Sequence, residues 1–489
     1  YQYDSGGIPF YDPDVFKQGK EENADYYTNV ATYTRDVAFF ASATYSYLGR
    51  YTLNGTGRYE GSNKLGRSRA ARWLPTWNVA AAWNAHEEEW FGEYLGSVLS
   101  FGALKASYSL TADRGPAFVT NSLAVFKSYT PWRPTAGVSE SGIYIEDLEN
   151  SELTYEKKHE LNIGASLGFL KNRINLETDF YVRRNFDLIG LIYTQGAGGQ
   201  IAKYANVASM QSHGVELTIS TRNIENQHFK WHTDFIFSDA VNRITDLDSR
   251  SNVIQLISGS GYAKKGYPVR SLFSIPFAGL NEEGLPTFIN EDEEQTLTDL
   301  NFQEFEKLGF LKYEGPTDPT ITGSLGNNFS WKGLKLNIFI TYSFGNKVRL
   351  NPVFSARYSD LSAMPKEFKN RWMLPGDETS TNIPVIASMR QNRKYADLSY
   401  AYNAYNYSDI RVADGGFIRL KEISLAYDLP KSWISLLSVQ NAQVKLQATN
   451  LLLLYADRKL NGQDPEFFNS GGVATPMPKQ LTFTLRFGL

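Results

Sequence analysis

The sequence contains no cysteine. Disulfides, thiolate-bound zinc, iron–sulfur clusters and thiol nucleophiles are therefore excluded. No apolar run approaches the roughly 18 residues that a transmembrane helix requires. Charge of one sign is lacking too: the formal net charge is −3, which leaves no global electrostatic footprint for nucleic acid. Histidine is scarce. His228 and His232 have the i, i+4 spacing of a helical metal pair, but they fall on strand-like sequence, where such residues stand about 13 Å apart. No metal site and no cofactor is read from them. Neither G-x-S-x-G nor H-E-x-x-H occurs, and no catalytic pair stands out among the 52 acidic residues, so the chain reads as a non-enzyme. A basic segment followed by an apolar one, the mark of a leader peptide, is not found after Tyr1.

What is present is alternation. Leu161, Ile163, Ala165, Leu167 and Phe169 interleave with Asn162, Gly164, Ser166 and Gly168. After a Lys171-Asn172 turn, Ile174, Leu176, Thr178, Phe180 and Val182 interleave with Asn175, Glu177, Asp179, Tyr181 and Arg183. This predicts a hairpin with one apolar and one polar face. Its strands run about 10 residues, enough to span a bilayer when tilted. The pattern recurs over 215–221, 321–331, 334–344 and 481–489, with further candidate strands at 36–48, 50–60, 74–85, 98–110, 229–241, 270–280, 416–428 and 439–450. The mean hydropathy of −0.37 fits a soluble chain, yet it equally fits barrel strands whose two faces average to polar.

Tight connections (47–51, 171–172, 332–333) alternate with long ones (112–156, 185–208, 242–270, 281–319, 345–415, 451–480). That asymmetry suits an outer-membrane barrel, with short periplasmic turns and long extracellular loops. Aromatics near strand ends, such as Tyr45, Tyr47 and Tyr51, or Phe329 and Trp331, suit interfacial girdles. A soluble β-sandwich stays open as an alternative, although its strands are usually nearer 5–6 residues. On the membrane reading the apolar faces point outward in a band about 25 Å tall; on the soluble reading they converge on one another. Helical turns are expected at Glu87–Tyr94 and Pro365–Trp372.

Several segments, in order, resemble the barrel of the SusC/RagA-like family of TonB-dependent outer-membrane transporters. These are Arg58-Tyr59-Glu60-Gly61-Ser62 with Arg72-Trp73, Pro75 and Trp83; Leu153-Thr154-Tyr155-Glu156 with Leu161-Asn162-Ile163-Gly164; and Asn206 with Gly214-Val215-Glu216-Leu217. Gly266-Tyr267-Pro268-Val269 with Ala278-Gly279-Leu280 follows, then Asp414 to Lys421 (DGGFIRLK), then Asn450-Leu451 and Asp464-Pro465-Glu466. Glu60 stands where the family usually has Asp, and Arg270 where Gly is common.

The resemblance implies an all-β fold: a transmembrane antiparallel β-barrel in the outer membrane of a Gram-negative bacterium. About 14 strands would lie in this chain, part of a larger plugged barrel of the 22-stranded type. Residues 1–489 are then expected to be its carboxy-terminal part, with the plug, TonB box and first strands supplied outside this sequence. The implied activity is import of oligosaccharides or oligopeptides, with a SusD-like surface lipoprotein and the TonB complex as partners and outer-membrane lipid around the wall. A structural or assembly subunit of a larger outer-membrane complex is the alternative.

Candidate substrate contacts lie in the loop 345–415, where aromatic and charged residues mix: Trp372, Arg371, Arg357, Tyr358 and Asp377, among Phe354, Asp360, Tyr395, Tyr400, Tyr402, Tyr405 and Tyr407. Aromatic faces beside polar groups suit sugars or peptides, a docking surface for a lid suits the same composition, and self-packing of the loop is a third reading. The acidic run Glu291–Glu294, near Glu282 and Glu283, departs from the EF-hand pattern and reads as a solvated loop. Glu177, Asp179, Arg183, Glu216 and Arg419 are expected to line a wet lumen or meet a plug. The terminal Phe487-Gly488-Leu489 resembles a barrel-assembly signal. Deleting Phe487–Leu489 should lower outer-membrane abundance at unchanged transcript, read by immunoblot of membrane fractions; normal assembly would refute that role.

Overall fold

The computed structural model describes residues 2–3, 27–28, 35–63, 72–113, 124–129, 142–150, 153–196, 201–358, 366–434, 439–468 and 478–488. Of the positions named above, Tyr1, Asp360, Pro365 and Leu489 lie outside them. Thirteen strands form one antiparallel sheet, each paired with its neighbour along the chain. They are β1 (Asp36–Tyr47), β2 (Tyr51–Ser62), β3 (Trp73–Trp83), β4 (Leu99–Asp113), β5 (Glu156–Phe169), β6 (Ile174–Tyr193) and β7 (Ala202–Glu225). β8 (Phe229–Leu247), β9 (Ile321–Trp331), β10 (Leu334–Phe344), β11 (Phe417–Asp428), β12 (Asn441–Ala456) and β13 (Gln480–Gly488) complete it. β1 and β13 are the two edges, and among the described residues they are not joined to each other.

Register decides the two faces. Ile163, Phe180 and Val215 are direct cross-strand partners, as are Leu325, Ile340 and Leu420. Phe329, Leu336, Leu425, Leu446 and Phe483 form a row across five strands. These rows share one face, and among the described residues no second sheet packs on it; Phe180, Leu425, Leu446 and Phe483 are exposed. An unpartnered apolar face of this size is a lipid face, and the sandwich alternative falls away. The other face carries Lys158, Glu160 and Arg183, linked by ion pairs of 2.7 and 3.1 Å.

The tight connections all lie at one end of the sheet. At Lys332-Gly333 both residues have positive φ (46° and 87°), the two-residue turn that matches strand twist. By the rule for barrels this is the periplasmic end, and Gly488 lies there too.

Several expectations change: β8 runs to Leu247 and β12 to Ala456, into the loops expected at 242–270 and 451–480. The segment 185–208 is not a loop: β6 and β7 stay paired to Tyr193↔Ala202. A bulge between Asn185 and Leu188, with Asp187 at φ 57°, breaks the alternation there. Beyond the membrane neither face meets lipid, so the ladder persists while period two is lost. The segment 270–280 is not a barrel strand. Pro276 splits it into Ser271–Ser274 and Phe277–Leu280, which pair with Lys312–Pro316 and Pro286–Ile289 above the sheet. The expected helical turns appear as Ala85–Glu87 with Glu89–Tyr94, and as Lys366–Asn370.

Glycines let tyrosines close the wall. Gly323 pairs with Tyr342, whose hydroxyl donates to the Ile236 carbonyl at 2.9 Å across the space a Cβ would fill. Gly214 faces Tyr181 in the same way. Gly323→Val should abolish the heat-modifiable folded band on gels, whereas Tyr342→Phe should keep it.

Candidate binding site at the extracellular mouth

At the end opposite the tight turns, 248–319, 345–358 and 366–415 fold into a domain with its own core. The helix Leu398–Asn406 sets Leu398, Ala401, Tyr402 and Tyr405 against Phe273, Ile275, Leu285, Phe288 and Phe354. Fully burying each leucine, isoleucine or phenylalanine among them contributes roughly 1.5–3 kcal/mol. Asn406 acts as a surrogate strand: its amide donates to the Phe354 carbonyl at 2.8 Å and its oxygen accepts the Phe354 N–H at 3.1 Å.

Arg349 ties this domain to the wall. It lies on the short strand Lys347–Arg349, just past β10, and is 4% exposed. Its guanidinium donates to the carbonyls of Ser408 (2.7 Å) and Phe273 (2.6 Å) and to Ser274 Oγ (3.1 Å). Burial lowers its pKa to about 10, countered by Glu314 and Asp409 nearby. Two neutral carbonyls thus depend on one cation.

The family-like motifs meet in pairs. Asn206 accepts from Thr154 N–H (2.9 Å) and donates to the carbonyls of Thr154 (3.0 Å) and Asp187 (2.6 Å), so two motifs form one staple. Leu153 and Tyr155 pack on Leu74, beside Arg72-Trp73. Arg419, buried in β11, pairs with Asp464 and at 3.2 Å with Glu466, joining DGGFIRLK to DPE. Val269 N–H donates to Asn242 Oδ1 at 2.8 Å, tying the GYPV turn to β8. Each staple sits where a strand leaves the wall for a loop.

The candidate contacts occupy different settings. Trp372 is buried, its ring over Gly284 and its Nε1 donating to Glu378 at 2.9 Å. Asp377 accepts the N–H groups of Met373 and Leu374, each at 2.9 Å, and these hold its carboxyl below the usual range. The Tyr358 hydroxyl accepts Ser355 N–H at 2.9 Å, its ring meets Phe368 edge-on, and burial raises its pKa. Arg371 lies over the Phe368 ring at 5.2 Å, and Arg357 is exposed. Trp372, Glu378 and Asp377 are therefore brought together as one buttress, with Arg371 and Tyr358 around Phe368. Phe354, Tyr402 and Tyr405 lie in the core. In the acidic hairpin Asp292 pairs with Lys307 at 2.5 Å, and nearby Glu283 pairs with Lys394.

Two cavities open here. One of about 420 Å³ is lined by Arg58, Glu60, Thr76, Thr111 and Asp113 on the polar face. The other, about 190 Å³, lies between the loop domain and the exit of β12, lined by Arg411, Glu367, Leu350 and Phe468. Sequence reasoning passed over Arg349, Asp113 and Arg411 as site residues. A signal existed for Arg349, a lone arginine between Val348 and Leu350. Arg349→Met should destabilise the loop domain by about 2–4 kcal/mol, seen as faster proteolysis within 248–319 while the barrel band persists.

Comparison with known proteins agrees with this architecture. The family described as TonB dependent receptor-like, beta-barrel matches residues 1–451. TonB-dependent receptor P26 of Formosa agariphila is 27% identical over 92% of this chain and 45% of its own length. TonB-dependent receptor SusC of Bacteroides thetaiotaomicron is 23% identical over 94% of this chain and 44% of its own. The chain thus spans under half the length of these curated relatives. Among solved structures, the RagAB peptide transporter superposes with a TM-score of 0.70 at 23% identity, over 88% of this chain and 45% of that one. The chain belongs to the TonB-dependent receptor-like β-barrel family of the bacterial outer membrane.

Proposed function

We propose that this chain forms the carboxy-terminal wall and extracellular mouth of a SusC-like importer for oligosaccharides or oligopeptides. The observation that carries this reading is the loop domain: a packed, stapled body at the mouth of a wall whose inner face is polar. A body of that kind presents a fixed surface to a large solute and to a lid. On this reading a SusD-like lipoprotein closes over it, and the TonB complex acts through a plug supplied outside this sequence. Both edges of the sheet would close on further strands, since an unpaired edge in lipid is not viable. Arg357 and Arg371 would reach solute, while Trp372, Tyr358 and Asp377 hold the surface that presents them. The names of two similar proteins, SusC and the RagAB peptide transporter, support this class without separating glycan from peptide.

The test is purification of the full-length receptor from outer membranes, with mass spectrometry of what it retains, alongside uptake of the identified solute in cells with and without TonB. Retained oligosaccharide or oligopeptide and TonB-dependent uptake are expected. An empty receptor whose loss leaves uptake and growth unchanged would overturn the proposal in favour of a structural subunit.

A further inference from the structure

The connection between β3 and β4 is longer than the tight periplasmic turns, as is that between β11 and β12, which carries the helix Lys431–Ile434. The β3–β4 connection carries the short helix Glu89–Tyr94, and this helix is held against the lipid-facing side of the wall. Phe91, 4% exposed, packs over Gly102, which pairs with Leu167 on the apolar face. Trp90 lies 6.4 Å from Trp83, the apolar-face partner of Tyr51. Tyr51 Oη and Trp83 Nε1 both donate to Glu88 Oε1, at 2.6 and 3.1 Å, and Arg50 pairs with Glu88 at 3.2 Å, so the entry to the helix is pinned beneath the girdle. With Phe91 turned inward, Trp90 (41% exposed), Tyr94 (74%) and Val98 (57%) project outward.

We infer that residues 85–98 are an interfacial anchor, seated in the headgroup layer of the periplasmic leaflet. Continuity decides the occupant. The exposed aromatics extend the row of Tyr47, Tyr51 and Trp83 at the level where the apolar band ends, and amphipathic rings favour the layer between hydrocarbon and water. The segment is too short to span and its apolar side faces along the wall, so it lies in the plane of the interface. Its charges choose the lipid: Arg50 alone serves both Glu88 and Glu89 (3.2 and 3.3 Å), and the surplus acids, Glu87 and Glu93 with them, disfavour an anionic headgroup, which leaves a zwitterionic phospholipid.

The absence of native cysteine makes the test clean. A single cysteine at Tyr94→Cys, in the full-length receptor with any cysteine elsewhere replaced by serine, carries an environment-sensitive fluorophore in phosphatidylcholine vesicles. Glu306→Cys, on the extracellular loop domain, is the aqueous reference, and Val98→Cys serves if Tyr94→Cys does not assemble. The expected result is blue-shifted emission and about threefold stronger quenching by lipids brominated near the headgroup than at Glu306→Cys, weakening in phosphatidylglycerol vesicles. Emission and quenching equal to the Glu306→Cys probe would overturn the anchor. Equal or stronger quenching in phosphatidylglycerol would overturn the choice of headgroup.

Discussion

The structure depends on the inability of lipid to hydrogen-bond a backbone. Inside the bilayer each N–H and C=O must find a partner within the protein, and a meander of antiparallel strands supplies one at every residue except the edges. Alternation follows from the ladder, because successive side chains must serve lipid and lumen in turn. So does the placement of glycine opposite Tyr181 and Tyr342, where a flat partner lets a ring cover the wall. The loop domain begins where the constraint ends. Above the membrane, water and packed side chains replace the ladder as the source of partners.

That boundary explains what could be read in the sequence. The wall was legible because period two records two solvents, and β1 to β5, β9 to β11 and β13 begin and end within a few residues of where alternation puts them. The upper parts of β6, β7 and β8 were not legible, because neither face meets lipid there: Val207 and Ile244 are buried by protein while other positions meet water, and the record is erased although pairing continues. The strand-like run at 270–280 misled for the opposite reason: Ser271–Ser274 is buried on both faces inside a domain core, and local apolar spacing does not say which core.

The composition of the candidate loop was legible, but its packing was not. Motifs that carry the family resemblance turn out to be staples: Asn206 on Thr154, Arg419 on Asp464 and Glu466, Asn242 on Val269. They hold loop bases to strand ends, so they report the fold and are silent about solute. The aromatic richness of 345–415 was visible, but which rings turn inward depends on partners far along the chain. Phe354 owes its place to Asn406, and Trp372 to Gly284, and no local pattern records either pairing.

The long β6–β7 hairpin has a mechanical meaning. Its cross-strand bonds lie perpendicular to the strands and continue without a gap from the periplasmic rim to Tyr193↔Ala202, apart from the bulge near Asp187. A force along the barrel axis loads such bonds together in shear, with no single one opened first. The wall therefore behaves as a stiff laminate that resists extension along its strands, while the aperture that the loop domain overlooks keeps its shape.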